Sequence, residues 1–312
     1  MKKLTALITG ILLCFSPALF AENAFNVLEM AEIPGGTFII GDDVQSYKEE
    51  RTVAPFAINK YETCYTLWYL IKKQAEKMGY KFKNPGQEGS QGRRGKAPVK
   101  KNHGQPVTMI SWHDAIVWLN AFSEICGLEP SYSYNGHILK DSNKTAECDL
   151  AVCDFSLSGF RLPTEAEWEC AARLGHEGFQ KGNKASGDFS SDETDNAEKY
   201  SWISTNTSGT KKVGTAGSPL GDDSDGTGSG NANASGVYDM SGNVLEFCWD
   251  WFANYEKVAE GERACGPQIG SQRVSRGGSW SEYAMFYYTA DRYGFDPSEC
   301  YDYLGFRIVQ SR

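Results

Sequence analysis

The C-terminal stretch 273–312 constrains the fold of this chain more than any other part of it. It opens with the motif RGGSW at 276–280 and closes with a short apolar run at 304–309. Between them the residues follow neither the 3.6-residue period of a helix nor the two-residue period of a strand. The interleaved Tyr, Ser, Asp and Gly are typical of a binding loop, although a tail whose rings pack inward fits equally well. Either way, a long irregular segment must be held by contacts with the rest of the fold.

Composition limits the partners of the chain. A net charge of −9 and a pI near 5.1 exclude nucleic acid, which needs clustered Lys and Arg. The tail adds Glu282, Asp291, Asp296, Glu299 and Asp302 to its Arg residues, so we expect no polyanion as a ligand there. Hydrophobic residues make up 40% of the chain, enough for a substantial core. We expect a single domain over 22–312.

The first residues are typical of an export signal at 1–21. Lys2 and Lys3 precede an apolar run at 4–15 that is too short to span a bilayer. Two processing sites remain open: cleavage after Ala21, or a lipobox that ends at Cys14. Lipidation of Cys14 would attach the protein to the membrane, and we expect an exported protein on the outer cell surface.

Eight further cysteines follow in the exported part. Cys64, Cys170 and Cys248 lie in apolar stretches and are expected to be buried thiols. Cys148 and Cys153 stand close together in a loop and are placed for a disulfide. No spacing suggests zinc.

Local signals predict the main elements. Ser111 with Asp114, and Thr164 with Glu167, form capping boxes that begin two helices. The other predicted elements are strands at 33–41, 56–58, 106–110 and 304–309, a helix at 64–78 ended by Gly79, a hairpin within 132–155 and a surface insertion at 175–235.

Seven motifs occur in one order: IPGGTFIIG, YETCYTLW, PVTMISWHDA, GFRLPTEAEWECAAR, GVYDMSGNVLEFCWDW, RVSRGGSW and LGFRIV. Together they resemble the formylglycine-generating-enzyme/sulfatase-modifying family over roughly residues 30–310. The resemblance implies an α+β fold of C-type-lectin-like topology, with two or three helices, short antiparallel strands and much irregular backbone.

Active members of that family use a pair of cysteines shortly after the RGGS motif to bind copper and oxidise a substrate cysteine. Here the matching stretch reads SEYAMFY from Ser281, and no cysteine occurs between Cys265 and Cys300. The chain therefore keeps the scaffold and lacks the thiolates that a soft metal requires. We expect neither copper nor catalysis.

The tail also resembles the variable proteins of diversity-generating retroelements, among them those of spirochaetes. In that group adenine-directed mutagenesis rewrites Asn codons near the 3′ end of the gene, here about 273–307. Ala284, Ala290, Arg292, Pro297 and Gly305 are interpreted as fixed scaffold, and Glu282 and Met285 fall outside what those codons yield. The residues interpreted as variable are Ser281, Tyr283, Phe286, Tyr287, Tyr288, Asp291, Tyr293, Gly294, Phe295, Asp296, Cys300, Tyr301, Asp302 and Tyr303.

The family resemblance further implies structural calcium. Asn233, the carbonyls of Ala234 and Gly236, and Glu246 would line one site, and Asn196 would belong to another. The alternative is that Asn233 makes a turn and Glu246 a buried hydrogen bond.

These observations favour a surface-displayed protein with a variable site for a protein or glycan on host or neighbouring cells. A cysteine oxidase and an envelope module with a fixed partner are the alternatives. If the tail rings are exposed, Tyr287→Ala and Tyr293→Ala should change stability little. Trp168→Ala and Phe306→Ala should each cost roughly 3–5 kcal/mol as buried aromatic residues.

Overall fold

The computed structural model describes residues 28–42, 47–99, 104–176, 178–190, 196–219, 226–255, 263–282 and 286–312. Its helices are α1 (Tyr65–Lys77), α2 (Trp112–Ile125), α3 (Thr145–Asp149) and α4 (Glu165–Arg173), with a 3-10 turn at Ala197–Lys199. Its strands are β1 (Met30–Ile33), β2 (Gly36–Asp42), β3 (Tyr47–Val53), β4 (Phe56–Asn59), β5 (Gln87–Glu88), β6 (Val107–Thr108), β7 (Tyr132–Tyr134), β8 (His137–Ile138), β9 (Val152–Cys153), β10 (Phe160–Arg161), β11 (Leu174–Gly175), β12 (Gly178–Phe179), β13 (Leu245–Trp251), β14 (Arg273–Arg276), β15 (Arg292–Phe295), β16 (Leu304–Phe306) and β17 (Val309–Ser311).

Two four-stranded sheets organise the chain. The first has the order β1-β4-β17-β10 and joins both ends of the described chain. The second has the order β15-β14-β13-β16 and consists largely of the C-terminal stretch. Its β13 and β16 run parallel, whereas its other pairs are antiparallel. This α+β architecture of short strands and irregular connections confirms the C-type-lectin-like fold class.

The predicted helix boundaries are confirmed. The hydroxyl of Ser111 accepts from the backbone N–H of Asp114 at 3.1 Å, and the Asp114 carboxylate accepts from the Ser111 N–H at 3.0 Å. Thr164 and Glu167 make the same reciprocal pair at 3.1 and 2.9 Å. Gly79 follows α1 with φ of 88°, the left-handed conformation that ends a helix.

The main core lies between α1, α2 and the second sheet. Trp68 of α1 stacks on Trp118 of α2 with 5.5 Å between ring centroids. Phe306 of β16 meets both rings edge-on, at 6.1 and 5.6 Å. Phe306 and Trp168 are fully buried, as predicted. Strand β16 is therefore part of the core. It fixes the end of the irregular segment that precedes it.

Two sequence predictions change. Cys148 and Cys153 form no disulfide, because Cys148 is buried with its thiol toward the Asp141 carbonyl (3.8 Å) while Cys153 sits on β9. The segment 175–235 was interpreted as a surface insertion, yet it places several side chains in the interior. These are Ala185, Ala197, Ile203, Val213 and Ala216.

The expected burial of Cys64, Cys170 and Cys248 is confirmed. Across the described part of the chain, no helix combines the length and apolar character needed to cross a bilayer. The predicted export signal and Cys14 lie outside the described residues.

Candidate binding surface

The tail leaves the second sheet at the RGGS motif and returns to it through β15. Gly278 has φ of 71°, and a Cβ there would lie 2.4 Å from the Phe286 carbonyl oxygen. Only glycine allows this close approach. The returning strand β15 then pairs antiparallel with β14, so that Tyr293 faces Ser275 and Phe295 faces Arg273. The segment 277–291 is therefore a loop closed between β14 and β15, and the chain after β15 leads on to β16.

Arg276 holds the first part of this loop by its backbone. Its guanidinium is fully buried and donates to the carbonyls of Thr289 at 2.8 Å, Ala290 at 3.3 Å and Asp291 at 3.1 Å. It also pairs with Glu169 of α4. Because every tail partner is a carbonyl, this anchor does not depend on which side chains the tail carries.

Arg292 makes a second anchor on the same helix. Its Nε and Nη2 donate to the two oxygens of Glu165 at 2.7 and 2.6 Å, and Nη1 donates to the Ala253 carbonyl at 2.7 Å. A bidentate pair of this kind fixes both position and orientation. Arg292 was predicted to be scaffold, and its ion pair gives the physical reason.

The chain after β15 is also fixed through its main chain. The Tyr301 carbonyl accepts from the Met109 N–H and the Tyr303 carbonyl from the Leu245 N–H, both at 2.9 Å. The Asp302 carbonyl accepts from Trp280 Nε1 at 3.4 Å. Three successive residues are thus positioned by their carbonyls, and their side chains are not needed for this.

The residues 293–303, which we call the outer surface, present these side chains to solvent. Phe295, Tyr301 and Tyr303 are each partly exposed and form one group of rings. Tyr301 and Tyr303 stack at 5.0 Å, and Phe295 lies 5.5 and 6.4 Å from them. The predicted variable residues of this surface that are exposed or partly exposed are Tyr293, Gly294, Phe295, Asp296, Cys300, Tyr301, Asp302 and Tyr303.

Between these positions, predicted scaffold residues are buried. Pro297 and Gly305 lie in the interior next to exposed Asp296 and partly exposed Tyr303, and Ala290 is buried beside Arg292. A Cβ on Gly305 would lie 2.6 Å from the Val107 carbonyl oxygen. Pro297 and Gly305 are thus buried, whereas the candidate binding residues of the outer surface are exposed or partly exposed.

The residues 286–291, which we call the inner turn, behave differently. Tyr287 is 1% exposed and Asp291 is 4% exposed, so the expectation that both face solvent is wrong. Tyr287 packs with Ala185, Ala197 and Ile203, all supplied by the segment 175–235. That segment covers part of the inner turn, which is why Tyr287 and Asp291 do not reach the surface.

Asp291 supports the inner turn with its carboxylate. One oxygen accepts from the Tyr288 N–H at 2.9 Å and the other from Asn183 Nδ2 at 3.4 Å. Burial raises the pKa of Asp291 to about 6. Phe286 in the same turn is 49% exposed, Tyr288 and Ser281 are partly exposed, and Tyr283 lies outside the described residues.

Glu246, a predicted calcium ligand, accepts hydrogen bonds from two buried side chains. It is fully buried, and Arg307 Nε donates to its two oxygens at 3.1 and 3.0 Å. Trp168 Nε1 donates to Oε2 at 2.8 Å. Glu246 thereby joins Arg307 of the GFR motif to Trp168 of the RLPTEAEWE motif. This arrangement matches the alternative of a buried hydrogen bond for Glu246.

Asn233 makes a turn, which is the alternative to calcium binding given for it above. Its Oδ1 accepts from the N–H groups of Ser235 and Val237 at 3.0 and 3.1 Å. Asn233 and Ala234 line a cleft with Asn196, and that cleft does not include Glu246. The calcium site of Asn233, Ala234, Gly236 and Glu246 stays a prediction.

Residues from distant parts of the chain border the outer surface and were not identified from the sequence. Asn84 lies 3.7 Å from the Cys300 thiol, and Arg94 reaches the Met109 sulfur at 3.4 Å. The strand predicted at 106–110 includes Met109, but no signal in the sequence assigns Asn84 or Arg94 to this surface. Their sequence carries no periodic signal that would place them beside residues two hundred positions away.

Comparison with known proteins agrees with this construction. The family model of the Sulfatase-modifying factor enzyme 1-like domain matches residues 16–312. The chain belongs to this family. It is 28% identical to the formylglycine-generating enzyme of Thermomonospora curvata over 320 residues, covering 90% of this chain and 92% of that one. It is also 28% identical to the chaperone protein LppX of Paenibacillus barcinonensis over 259 residues, covering 81% and 78%.

Among solved structures, this protein superposes on Treponema denticola variable protein 1 with a TM-score of 0.67. The two are 28% identical, over 91% of this chain and 95% of that chain. The resemblance to a variable protein on a formylglycine-generating-enzyme type of fold is thereby confirmed.

Proposed function

We propose that this protein is a surface-displayed binding protein whose C-terminal loop is diversified by a retroelement to present a variable binding site. The observation that carries the proposal is the separation of roles in the loop. Arg276, Met109 and Leu245 bond to its carbonyls, whereas the rings of the outer surface are left partly exposed. Side chains held in this way change at little cost to the fold.

The likeness to a solved variable protein supports the same conclusion. An enzymatic role has less support, although relatives of this chain include formylglycine-generating enzymes. The position of the cysteine pair is taken by residues without thiols, and Cys300 has its thiol beside Asn84. Burial raises the pKa of Cys300, which disfavours the thiolate that copper binding and oxidation require.

Export, lipid anchoring through Cys14 and display on the outer cell surface complete the proposal. They are supported by the basic and apolar start of the chain at 2–15. The ligand would be a protein or a glycan on host or neighbouring cells. Metabolic labelling with a radioactive fatty acid, with Cys14→Ser as the control, tests the anchor: label that persists in the variant would contradict it.

Sequencing the 3′ end of the gene across clonal lines tests the proposed diversification. Substitutions should concentrate at the outer-surface positions and spare Pro297, Gly305 and the RGGS motif. A near-copy of the tail coding sequence beside a reverse transcriptase gene should accompany them. Substitutions spread evenly along 273–312, or an invariant tail without such a copy, would contradict the proposal and favour a module with a fixed partner.

A further inference from the structure

Three basic side chains lie close together in the chain between β5 and β6. Arg93, Arg94 and Lys96 belong to one turn, and all three are exposed. Within the described residues, none of them forms an ion pair with a carboxylate. The whole chain carries a net charge of −9, so this turn is a local exception. Unpaired cations on a folded surface attract groups of opposite charge.

The turn is held in place by hydrogen bonds. The Lys96 N–H donates to the Arg93 carbonyl at 3.2 Å, and the Gly95 N–H donates to the Gly86 carbonyl at 2.8 Å. The Lys96 carbonyl accepts from the hydroxyl of Tyr65, a buried residue of α1, at 2.8 Å. The body of the fold therefore positions the backbone that carries the three charges.

One link between this turn and the outer surface runs through Met109. Nη2 of Arg94 lies 3.4 Å from the Met109 sulfur. The N–H of the same Met109 donates to the Tyr301 carbonyl at 2.9 Å. Arg94 and Tyr301 thus contact the same residue, which places the guanidinium next to the chain that carries the stacked rings.

A second link runs through residues 84–85. A Cβ on Gly95 would lie 3.0 Å from the Pro85 Cβ, so the turn packs directly against Pro85. The preceding residue, Asn84, has its side-chain oxygen 3.7 Å from the Cys300 thiol. The two links end at neighbouring positions, 300 and 301, and the turn therefore borders this part of the outer surface.

We propose that Arg93, Arg94 and Lys96, which we call the basic edge, bind carboxylates of a protein partner that contacts the outer surface. The planar guanidinium of Arg pairs with both oxygens of a carboxylate, so Asp and Glu side chains are suited to it. Protein interfaces combine aromatic anchors with a polar rim. The ring group of the outer surface, with the basic edge beside it, has this arrangement.

The acids of the outer surface narrow the class of partner. Asp296 and Glu299 are exposed, and Asp302 is partly exposed. They repel a polymer that carries a charge on every unit, such as a sulfated glycan, whereas a protein can present isolated carboxylates to the basic edge.

The basic edge lies outside the stretch 273–307 that is proposed to vary. It would therefore give every variant of the tail the same charged contact, while the outer surface sets selectivity. The inference rests on the proposed function, since it names the charge of the partner at the border of that same site.

The test uses the purified protein and two fluorescent probes of equal charge number, an oligoglutamate peptide and a heparin oligosaccharide. Fluorescence anisotropy should show that oligoglutamate binds, and more tightly than heparin. The triple variant Arg93→Gln, Arg94→Gln, Lys96→Gln should weaken oligoglutamate binding about fivefold or more, because three exposed charge pairs are lost together.

The matched control is the triple variant Lys73→Gln, Lys144→Gln, Lys181→Gln. These exposed lysines lie on α1, before α3 and after β12, and their loss changes the net charge equally. The control should bind oligoglutamate as the parent does. Circular dichroism and thermal unfolding of both triple variants exclude loss of the fold as the cause.

Alkylation of Cys300 by iodoacetamide locates the bound peptide. Cys300 is partly exposed, and oligoglutamate at twice its Kd should slow the reaction about threefold if bound at the basic edge. Mass spectrometry measures the rate. Cys126, partly exposed at the end of α2, is the internal control and should react at an unchanged rate.

Absence of oligoglutamate binding, equal effects of the two triple variants, or unchanged alkylation of Cys300 would each overturn the basic edge as a binding site. Tighter binding of heparin than of oligoglutamate would overturn the assignment to a protein partner. Clonal sequencing keeps the two proposals distinguishable. A variable tail without oligoglutamate binding removes the basic edge alone, and an invariant tail removes the proposed function.

Discussion

The inner turn (286–291) and the outer surface (293–303) follow each other in the C-terminal stretch and have similar composition. They nevertheless lie in different surroundings. In the inner turn, Tyr287 and Asp291 are buried beneath the segment 175–235. On the outer surface, Tyr301 and Tyr303 are partly exposed. Their carbonyls accept hydrogen bonds from the body of the fold, and their rings pack against the edge of the main core. Composition alone therefore does not identify binding residues, because burial is decided by what the rest of the chain places over the loop.

Removing the anchor of the inner turn should have the largest effect. Arg276→Met takes away the donors to three tail carbonyls and leaves Glu169 with one ion pair, to Arg173. Loss of one partner from a buried ion pair typically costs about 3–5 kcal/mol. Denaturant unfolding measures this loss of stability.

Arg312→Met is the matched control for that substitution. Arg312 pairs with exposed Glu32, and surface pairs contribute about 1 kcal/mol or less. If the two variants lose similar free energy of unfolding, the buried guanidinium does not hold the tail, and the comparison between the two parts of the loop loses its physical basis.

Tyr287→Ala should cost about 3 kcal/mol, since it empties a buried aromatic position that contacts Tyr288 at 5.0 Å between ring centroids. Tyr301→Ala should cost about 1 kcal/mol or less, because its ring is partly exposed. Thermal or denaturant unfolding compares the two directly. Equal losses would place both rings in the same kind of environment and remove the distinction.

Asp291→Asn should have a smaller effect that depends on pH. Burial raises the pKa of Asp291 to about 6, so the folded state holds the proton more tightly than the unfolded chain. Its contribution to stability is therefore present below pH 4 and is lost as pH rises to about 6.

The Asn variant keeps an acceptor for the Tyr288 N–H and carries no proton to lose. It should show a flatter stability curve between pH 4 and 6, with a gain at pH 7 on the order of 1 kcal/mol. Asp296→Asn is the control, because Asp296 is exposed and hydrogen bonds from Ser298 lower its pKa. Parallel curves for the parent and Asp291→Asn would contradict the buried position of Asp291.

The fold could be predicted from the sequence where the signals are local. Ser111 and Thr164 carry their capping partners three residues away, and Gly79 needs only its own backbone. Trp168 and Phe306 lie in motifs whose family resemblance fixes their burial. For these elements, the chemistry that decides the structure lies within a few residues or within a known motif.

The site could be predicted only in part, because its remaining determinants are distant in sequence. Tyr287 is covered by Ala185 and Ile203, about a hundred positions earlier. Glu246 was predicted to be an oxygen ligand for calcium, and its ion pair with Arg307 is formed across 61 positions of sequence. Neither contact leaves a trace in local periodicity. The assignment of Pro297 and Gly305 to the scaffold, between Tyr and Asp positions, was predictable because the resemblance to variable proteins implies it.

The most direct test of the account is denaturant unfolding of the double variant Tyr301→Asn with Tyr303→Asn, which restores at both positions the residue of an Asn codon. The account predicts a single cooperative transition with an unchanged m-value and a loss of about 2 kcal/mol or less. Trp168→Ala, at roughly 3–5 kcal/mol, gives the scale of a true core residue. A loss in the range of Trp168→Ala, or a transition that is no longer cooperative, would contradict the claim that this loop is held by its backbone and free to change its side chains.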